Sequence, residues 1–232
     1  MTAKNKYLST PQKQNDIEKH PKQDFQVERL AFFSDAVFAI AITLLIIEFK
    51  VPHVTKESTF DSVWEQLLDL KYNLFALLLS FTLIANYWVR HHFLFKHIHN
   101  YNKQIVIANM FVLMPIIFFP FTTAFFAESV ENKNVIILAL RLFLLNHVLA
   151  GLTSYVFYLF SFVKYKEMSF EMTKLEKLKF NSDTLFSTIV FAIILLVSFI
   201  TDNTQAVLWT MMICILSKKI LETILKKCLI KQ

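Results

Sequence analysis

Six long apolar stretches, separated by short polar and charged connections, dominate the chain. The stretches are continuous and do not alternate with period two, which favours α-helices over the strands of a membrane barrel. Each can supply about the 20 residues that a helix needs to cross a hydrocarbon core of roughly 30 Å. The pattern predicts an all-α, polytopic membrane protein with six transmembrane helices, at residues 29–50, 68–90, 104–127, 133–162, 182–201 and 204–225.

Polar composition marks the two ends of the chain. Residues 1–24 are rich in Lys, Gln and Asn and lack an apolar period, so we expect a disordered segment without a secretory signal peptide. Residues 25–226 then form one six-helix unit, and residues 227–232 form a short tail. With 55% hydrophobic residues and a mean hydropathy of +0.47, a soluble globule is not expected.

The basic residues indicate the orientation in the membrane. Nineteen Lys and Arg residues lie in the N-terminal segment, the tail and two alternate connections, and only four lie in the other connections. Because positive charge accumulates on the cytoplasmic side, both termini are predicted to be cytoplasmic. The net charge of +6 is thereby explained by topology, and no nucleic-acid partner is expected.

The first span begins with polar residues that are costly inside a bilayer and therefore mark either function or a buried partner. On a helical wheel with roughly 100° per residue, one face carries small and medium apolar residues and one hydroxyl, and Asp35 lies off that face. We expect Asp35 to point toward another helix. Periodicity alone favours ordinary helix packing of the face over a pore. The face comprises Ala36, Ile40, Thr43, Leu44 and Ile47, with Arg29 at its cytoplasmic end.

The second span ends in NYWVRHHFLFKHIH, with four histidines in nine residues. Repeated histidine boxes bind metal in some membrane enzymes, but a second box is missing here. The interpretation that we favour is a helix end at the cytoplasmic interface, where Trp88 anchors at the headgroups. His91 or His92 then pairs with a buried carboxylate, and Asp35 lies at the same membrane level.

The third span adds an amide and two prolines. Asn109 is positioned to join the same polar cluster, and Pro115 and Pro120 are expected to bend the helix, with Thr122 or Thr123 meeting the freed carbonyls. Catalytic signatures such as GxSxG and HExxH are missing, and a chain with one glycine cannot form a phosphate-binding glycine loop. The sequence therefore predicts neither an enzyme nor a cofactor.

Three ordered motifs in successive spans resemble the bacterial members of the transmembrane protein 175 family of potassium channels. They are Arg29-x-x-x-Phe33-Ser34-Asp35 with the VFAIAITLL after Ala36, then WVRHHF in the second span, and Asn109 with Pro120-Phe121-x-Thr123 in the third. The resemblance covers roughly residues 25–127 in detail. Many bacterial members have glycine after the FSD triplet, whereas this chain has Ala36, which affects the expected local pore width.

The resemblance implies a fold and a set of roles. It implies homotetramers in which the first helices line a central pore, with an apolar constriction in place of a carbonyl filter. The implied constriction is Ile40, Leu44 and Ile47, with Thr43 as the pore hydroxyl. The implied polar network between the first three helices comprises Arg29, Phe33, Ser34, Asp35, Trp88, His91, His92 and Asn109.

We therefore expect a cation leak channel of a bacterial cytoplasmic membrane, selective for potassium and modestly so over sodium. Its expected partners are K⁺ and other monovalent cations, membrane lipid and three further copies of the chain, with no metal other than the permeant ion. One alternative is a proton- or ion-coupled transporter of a small substrate, with Asp35 and His92 as a relay. Another is a membrane enzyme built on the histidine cluster.

Overall fold

The computed structural model describes residues 21–47 and 51–201, together with residues 203, 207 and 210. For residues 21–24 it gives only the helical backbone. The described chain is helical, and its longer elements are α1 (Pro21–Ile47), α2 (Phe60–Asp69), α3 (Lys71–Phe95), α4 (Lys103–Ser129), α5 (Ile136–Leu159) and α6 (Lys174–Ile200). A π-helical turn, Phe160–Lys164, and a 3₁₀ turn, Lys166–Met168, connect α5 to α6.

Five segments of the described chain are long and apolar enough to cross a membrane: Phe25–Ile47, Lys71–Phe95, Lys103–Ser129, Ile136–Lys164 and Lys174–Ile200. The prediction of an all-α, multi-pass membrane protein is thus confirmed. The sixth predicted span, residues 204–225, and the tail at 227–232 lie outside the described residues, apart from residues 207 and 210.

Several helix boundaries differ from the predicted ones, and α6 begins at Lys174 and not at residue 182. α1 begins at Pro21, so residues 21–24 belong to a helix and not to the polar segment expected up to residue 24. The second predicted span began at residue 68, but residues 68 and 69 end the separate helix α2, and α3 runs from Lys71 to Phe95. Leu70 alone separates these two helices.

α4 lies at the centre of the bundle, in contact with α1, α3 and α5. α6 packs on α5 and is also bonded to α3, where Arg90 donates to the Asp183 carbonyl and to Ser187 Oγ. Four α4 side chains, Ile105, Val112, Ile116 and Phe119, are almost completely buried. α1 contributes one buried stripe at helical spacing, made of Val27, Ser34, Phe38, Ala41 and Leu45. This stripe fixes which face of α1 is turned away from the rest of the chain.

The α3–α4 and α5–α6 connections meet at one end of the bundle, which we call the loop end. Ile98 and Ser169 form an antiparallel bridge there, and the Phe170 amide donates to the His97 carbonyl at 2.7 Å. α6 starts with a capping box in which Thr173 and Glu176 satisfy each other's backbone amides. Because α1 and α3 run in opposite directions, the α1–α3 connection with α2 lies at the opposite end.

α5 and α6 cross closely at the single glycine of the chain. A Cβ atom built on Gly151 would overlap the Thr188 hydroxyl. That hydroxyl donates to the Thr184 carbonyl of its own helix at 2.7 Å. The absence of a side chain at Gly151 therefore sets the distance between these two helices.

Candidate functional site

A buried chain of hydrogen bonds joins α1, α3 and α4. The Asn109 side-chain amide donates from Nδ2 to Ser34 Oγ at 2.9 Å, and Ser34 Oγ donates to the Leu30 carbonyl at 2.9 Å. Asn109 Oδ1 lies 2.8 Å from His91 Nε2, so this ring nitrogen carries the proton and donates. All three side chains are buried, and each finds a partner away from water.

Aromatic rings hold His91 in place. Its ring lies 4.7 Å from Phe95, 5.4 Å from Phe38 and 5.7 Å from Phe157, measured between centroids. These residues come from α3, α1 and α5, so the imidazole is enclosed by three helices. A side chain enclosed in this way keeps one rotamer, which keeps Nε2 directed at Asn109.

A second, more accessible contact lies one residue further along α1. Trp88 donates from Nε1 to Asp35 Oδ1 at 2.8 Å, and the exposed His92 ring lies 5.5 Å from the Trp88 ring. Asp35 therefore meets a tryptophan on α3, whereas the histidine in the buried chain of hydrogen bonds is His91. Charge-assisted bonds of this kind to a carboxylate are stronger than neutral ones.

The structure brings together Ser34, Asp35, Trp88, His91 and Asn109, which we call the polar cluster. His92 contacts this cluster through the Trp88 ring. Arg29 and Phe33 lie on the exposed side of α1 and contribute none of the hydrogen bonds described above.

The other candidate residues form an exposed stripe on α1. Ile40 is 57% exposed and Ile47 is 69% exposed, and Leu44 and Thr43 are exposed as well. The Thr43 hydroxyl donates to the Ile40 carbonyl at 2.9 Å, so it is held by its own helix. Since Phe38, Ala41 and Leu45 face α3 and α4, the stripe points away from the rest of the chain. We call Ile40, Thr43, Leu44 and Ile47 the α1 stripe.

Sequence reasoning missed several polar contacts within the spans. Thr123 donates to Ser80 Oγ at 2.7 Å and ties α4 to α3, and Asn146 donates to the Pro115 carbonyl at 3.1 Å and ties α5 to α4. The only signal was the presence of hydroxyl and amide side chains in apolar runs. Thr122 donates to carbonyls of its own helix at Phe118 and Phe119.

Neither Thr122 nor Thr123 donates to the carbonyls that the two prolines leave without a donor. Prolines at 115 and 120 leave the carbonyls four residues earlier, at Phe111 and Ile116, without their usual helical donors. Thr122 and Thr123 bond elsewhere, which corrects that expectation. Among the described residues, no group of three or more His, Cys, Asp and Glu side chains is arranged to hold a metal ion.

Comparison with known proteins connects this geometry to a family. The family model described as the endosomal/lysosomal potassium channel TMEM175 matches residues 29–120, the segment that carries the α1 stripe and the whole polar cluster. A solved structure of a lysosomal potassium-selective channel TMEM175 homolog from Chamaesiphon minutus matches with a TM-score of 0.64 and 26% identity. The match covers 84% of this chain and 95% of the Chamaesiphon minutus chain. Residues 29–120 of this chain are a TMEM175-family segment.

Curated relatives each match slightly less than half of the chain. A potassium channel of Chamaesiphon minutus is 41% identical over 108 residues, covering 47% of this chain and 52% of the relative. A potassium channel of Streptomyces collinus is 36% identical over 106 residues, covering 46% and 50%. The chain thus spans about half the length of the curated relatives it matches. The resemblance drawn from the three motifs is confirmed at the level of the family.

Proposed function

We propose that this chain is one subunit of a homotetrameric, potassium-selective cation leak channel of a bacterial cytoplasmic membrane. The observation that carries the proposal is the division of α1 into two faces. One face is fixed against α3 and α4, and the opposite face presents an apolar stripe with a single hydroxyl. The names of the relatives, which are potassium channels, support the same function.

The proposed ion path lies along the α1 stripe. Four copies of Ile40, Leu44 and Ile47 around a central axis would form a narrow apolar neck, and Thr43 would supply one hydroxyl per subunit. An ion that passes such a neck loses part of its hydration shell, and this costs less for K⁺ than for the smaller Na⁺. Selectivity of this origin is modest, because the stripe offers no charge and no ring of carbonyls.

The proposed role of the polar cluster is to orient α1. Ser34 and Asp35 are bound to two different helices, Ser34 to Asn109 of α4 and Asp35 to Trp88 of α3. Two bonds on neighbouring residues fix the rotation of α1 about its own axis as well as its distance from the other helices. The α1 stripe is thereby held in one direction.

Ile40→Asn tests the proposed constriction. We expect purified protein in a planar bilayer under a potassium/sodium gradient to show single-channel currents. Their reversal potential should lie nearer to the equilibrium potential of K⁺ than to that of Na⁺. Ile40→Asn should move the reversal potential toward that of an unselective pore, because an amide in the neck can replace water around Na⁺. Ile46→Asn is the matched control, since Ile46 is also 57% exposed but lies off the stripe, and its reversal potential should not change.

Two results would count against the proposal. An unchanged reversal potential in Ile40→Asn would remove Ile40 from the ion path. Slow, proton-coupled uptake without unitary currents would favour the transporter alternative with Asp35 and His92 as its relay.

A further inference from the structure

The helix α2 has an apolar face that no described part of the chain covers. Its ten residues, Phe60–Asp69, include none that is buried. On a wheel of roughly 100° per residue the sequence divides cleanly into two sides. The side that we call the α2 apolar face comprises Phe60, Val63, Trp64, Leu67 and Leu68, and the opposite side comprises Asp61, Ser62, Glu65, Gln66 and Asp69.

The connection to α3 places α2 at the boundary of the membrane. Leu70 is the single residue between the two helices. α3 has 25 residues, which at about 1.5 Å per residue is longer than a hydrocarbon core of roughly 30 Å. The charged Lys71 at the start of α3 favours the headgroup region for this end of the helix, and α2 cannot lie far from that level.

The hydrogen bonds between the described part of the preceding loop and the α2 side chains lie on the polar side of α2. The His53 amide donates to Gln66 Oε1 at 2.8 Å, and the Thr59 hydroxyl and Ser62 form the capping box at the helix start. The loop is therefore held against the polar side, and the apolar face stays open. Phe60 and Trp64 stack on this open face with centroids 6.1 Å apart.

We propose that α2 is an interfacial helix, whose apolar face lies in the headgroup layer of the bilayer surface opposite the loop end. Amphipathic helices bind this way through apolar area, and tryptophan is enriched at that depth. The polar side, with Asp61, Glu65 and Asp69, then faces water. α2 contains no Lys or Arg, so the attraction does not come from anionic lipid. This proposal depends on the membrane fold and not on ion selectivity.

Spin labels on single cysteines test the placement. In a background with Cys214 and Cys228 replaced by serine, Val63→Cys and Leu67→Cys report on the apolar face, and Asp61→Cys and Glu65→Cys are the controls on the polar side. The protein is reconstituted in phosphatidylcholine vesicles, and collision rates with oxygen and with a water-soluble nickel chelate are measured. We expect the collision rate with oxygen to be the higher one at Val63 and Leu67, and the collision rate with the nickel chelate to be the higher one at Asp61 and Glu65.

Other patterns would overturn the proposal. Exclusion of both reagents at Val63 and Leu67 would indicate contact with another copy of the chain. Equal nickel access on both sides would indicate that α2 stands in water. Since the attraction is assigned to apolar area, replacing about a third of the lipid with phosphatidylglycerol should leave the pattern unchanged; a pattern that appears only with the anionic lipid would contradict that assignment.

Tryptophan fluorescence gives a second measurement that needs no label. Brominated phosphatidylcholine quenches indoles that lie near the bromine, so the wild-type chain and Trp64→Phe are compared in vesicles with bromine at shallow or deep acyl positions. We expect Trp64 to account for part of the quenching. This part should be larger with bromine at the shallow acyl position than at the deep one. Equal quenching of the two proteins at both depths would overturn the proposal.

Discussion

At the scale of single residues, the described spans contain polar groups that are satisfied in the chain and a few that are not. Ser34, His91 and Asn109 are bonded to one another, and the bonds cross three helices. His147 is fully buried, yet neither ring nitrogen has a hydrogen-bond partner among the described residues. An unsatisfied buried polar group costs about 1–3 kcal/mol. Removing a partner of the bonded group should therefore lower stability, and replacing the unbonded His147 should raise it.

Replacement of Asn109 should destabilise the protein. Asn109→Leu leaves His91 Nε2 without an acceptor in a cage of rings, and we expect a loss of about 1–3 kcal/mol in the free energy of unfolding. The control is Asn86→Leu, because Asn86 is exposed and donates only to the Thr82 carbonyl of its own helix. Reversible unfolding in mixed micelles measures both. Equal losses would show that the Asn109 bonds add nothing to stability.

Replacement of His147 should stabilise the protein. The ring lies 4.4 Å from Phe191 and 4.7 Å from both Phe119 and Phe143, so an apolar side chain of similar volume fits its site. In His147→Leu we expect a gain of about 1 kcal/mol, the difference between the removed polar cost and the lost ring contacts. The same unfolding assay applies, and a clear loss of stability would mean that the imidazole has a bonded partner in the membrane.

At the scale of elements, the apolar pattern predicted most of the spans but not α2. α4 was predicted at 104–127 and found at Lys103–Ser129. The agreement is close because polar residues at both ends of a continuous apolar run mark where the helix begins and ends. Leu67, Leu68 and Leu70 extend the apolar run of α3 backwards, so hydropathy alone could not separate α2 from the span. Only the period of its charged residues distinguishes the short helix.

The crossing of α5 and α6 gives a prediction about a pair of residues. Gly151→Ala places a methyl group against the Thr188 hydroxyl, so we expect the helices to separate and stability to fall by roughly 1–3 kcal/mol. Thr188→Ala removes the hydroxyl and methyl groups nearest to the new atom. In a double-mutant cycle measured by unfolding, Thr188→Ala should recover part of the loss. Simple additivity of the two effects would mean that the helices do not meet there.

The polar cluster shows what a sequence can and cannot specify about a site. The cost of burying Ser34, Asp35 and Asn109 in apolar runs marked them as candidates without any knowledge of their contacts. The choice between His91 and His92 was not accessible in this way. Neighbouring residues on a helix point about 100° apart, and only the positions of α1 and α4 decide which ring is enclosed.

At the scale of the whole molecule, a single copy of the described chain cannot enclose the proposed ion path. The α1 stripe cannot line a pore without further copies, and a closed ring of identical subunits is the common solution. We therefore predict that Ile47→Cys, in the serine background, forms disulfide-linked pairs of chains when native membranes are oxidised. Leu45→Cys, which is buried against the same chain, is the control and should stay monomeric on a denaturing gel. Absence of linked pairs in Ile47→Cys would contradict an axis shared by several copies of the α1 stripe.

The location of the polar cluster also restricts how α1 can move. Both of its bonded residues, Ser34 and Asp35, precede Phe38, whereas Ile40 and the rest of the stripe follow it. Turning α1 about its axis by one residue, or about 100°, would break the bonds to Asn109 and Trp88 together and leave buried groups unpaired. Because Ala41 and Leu45 are also buried against α3 and α4, widening of the proposed pore then requires a joint tilt of α1, α3 and α4.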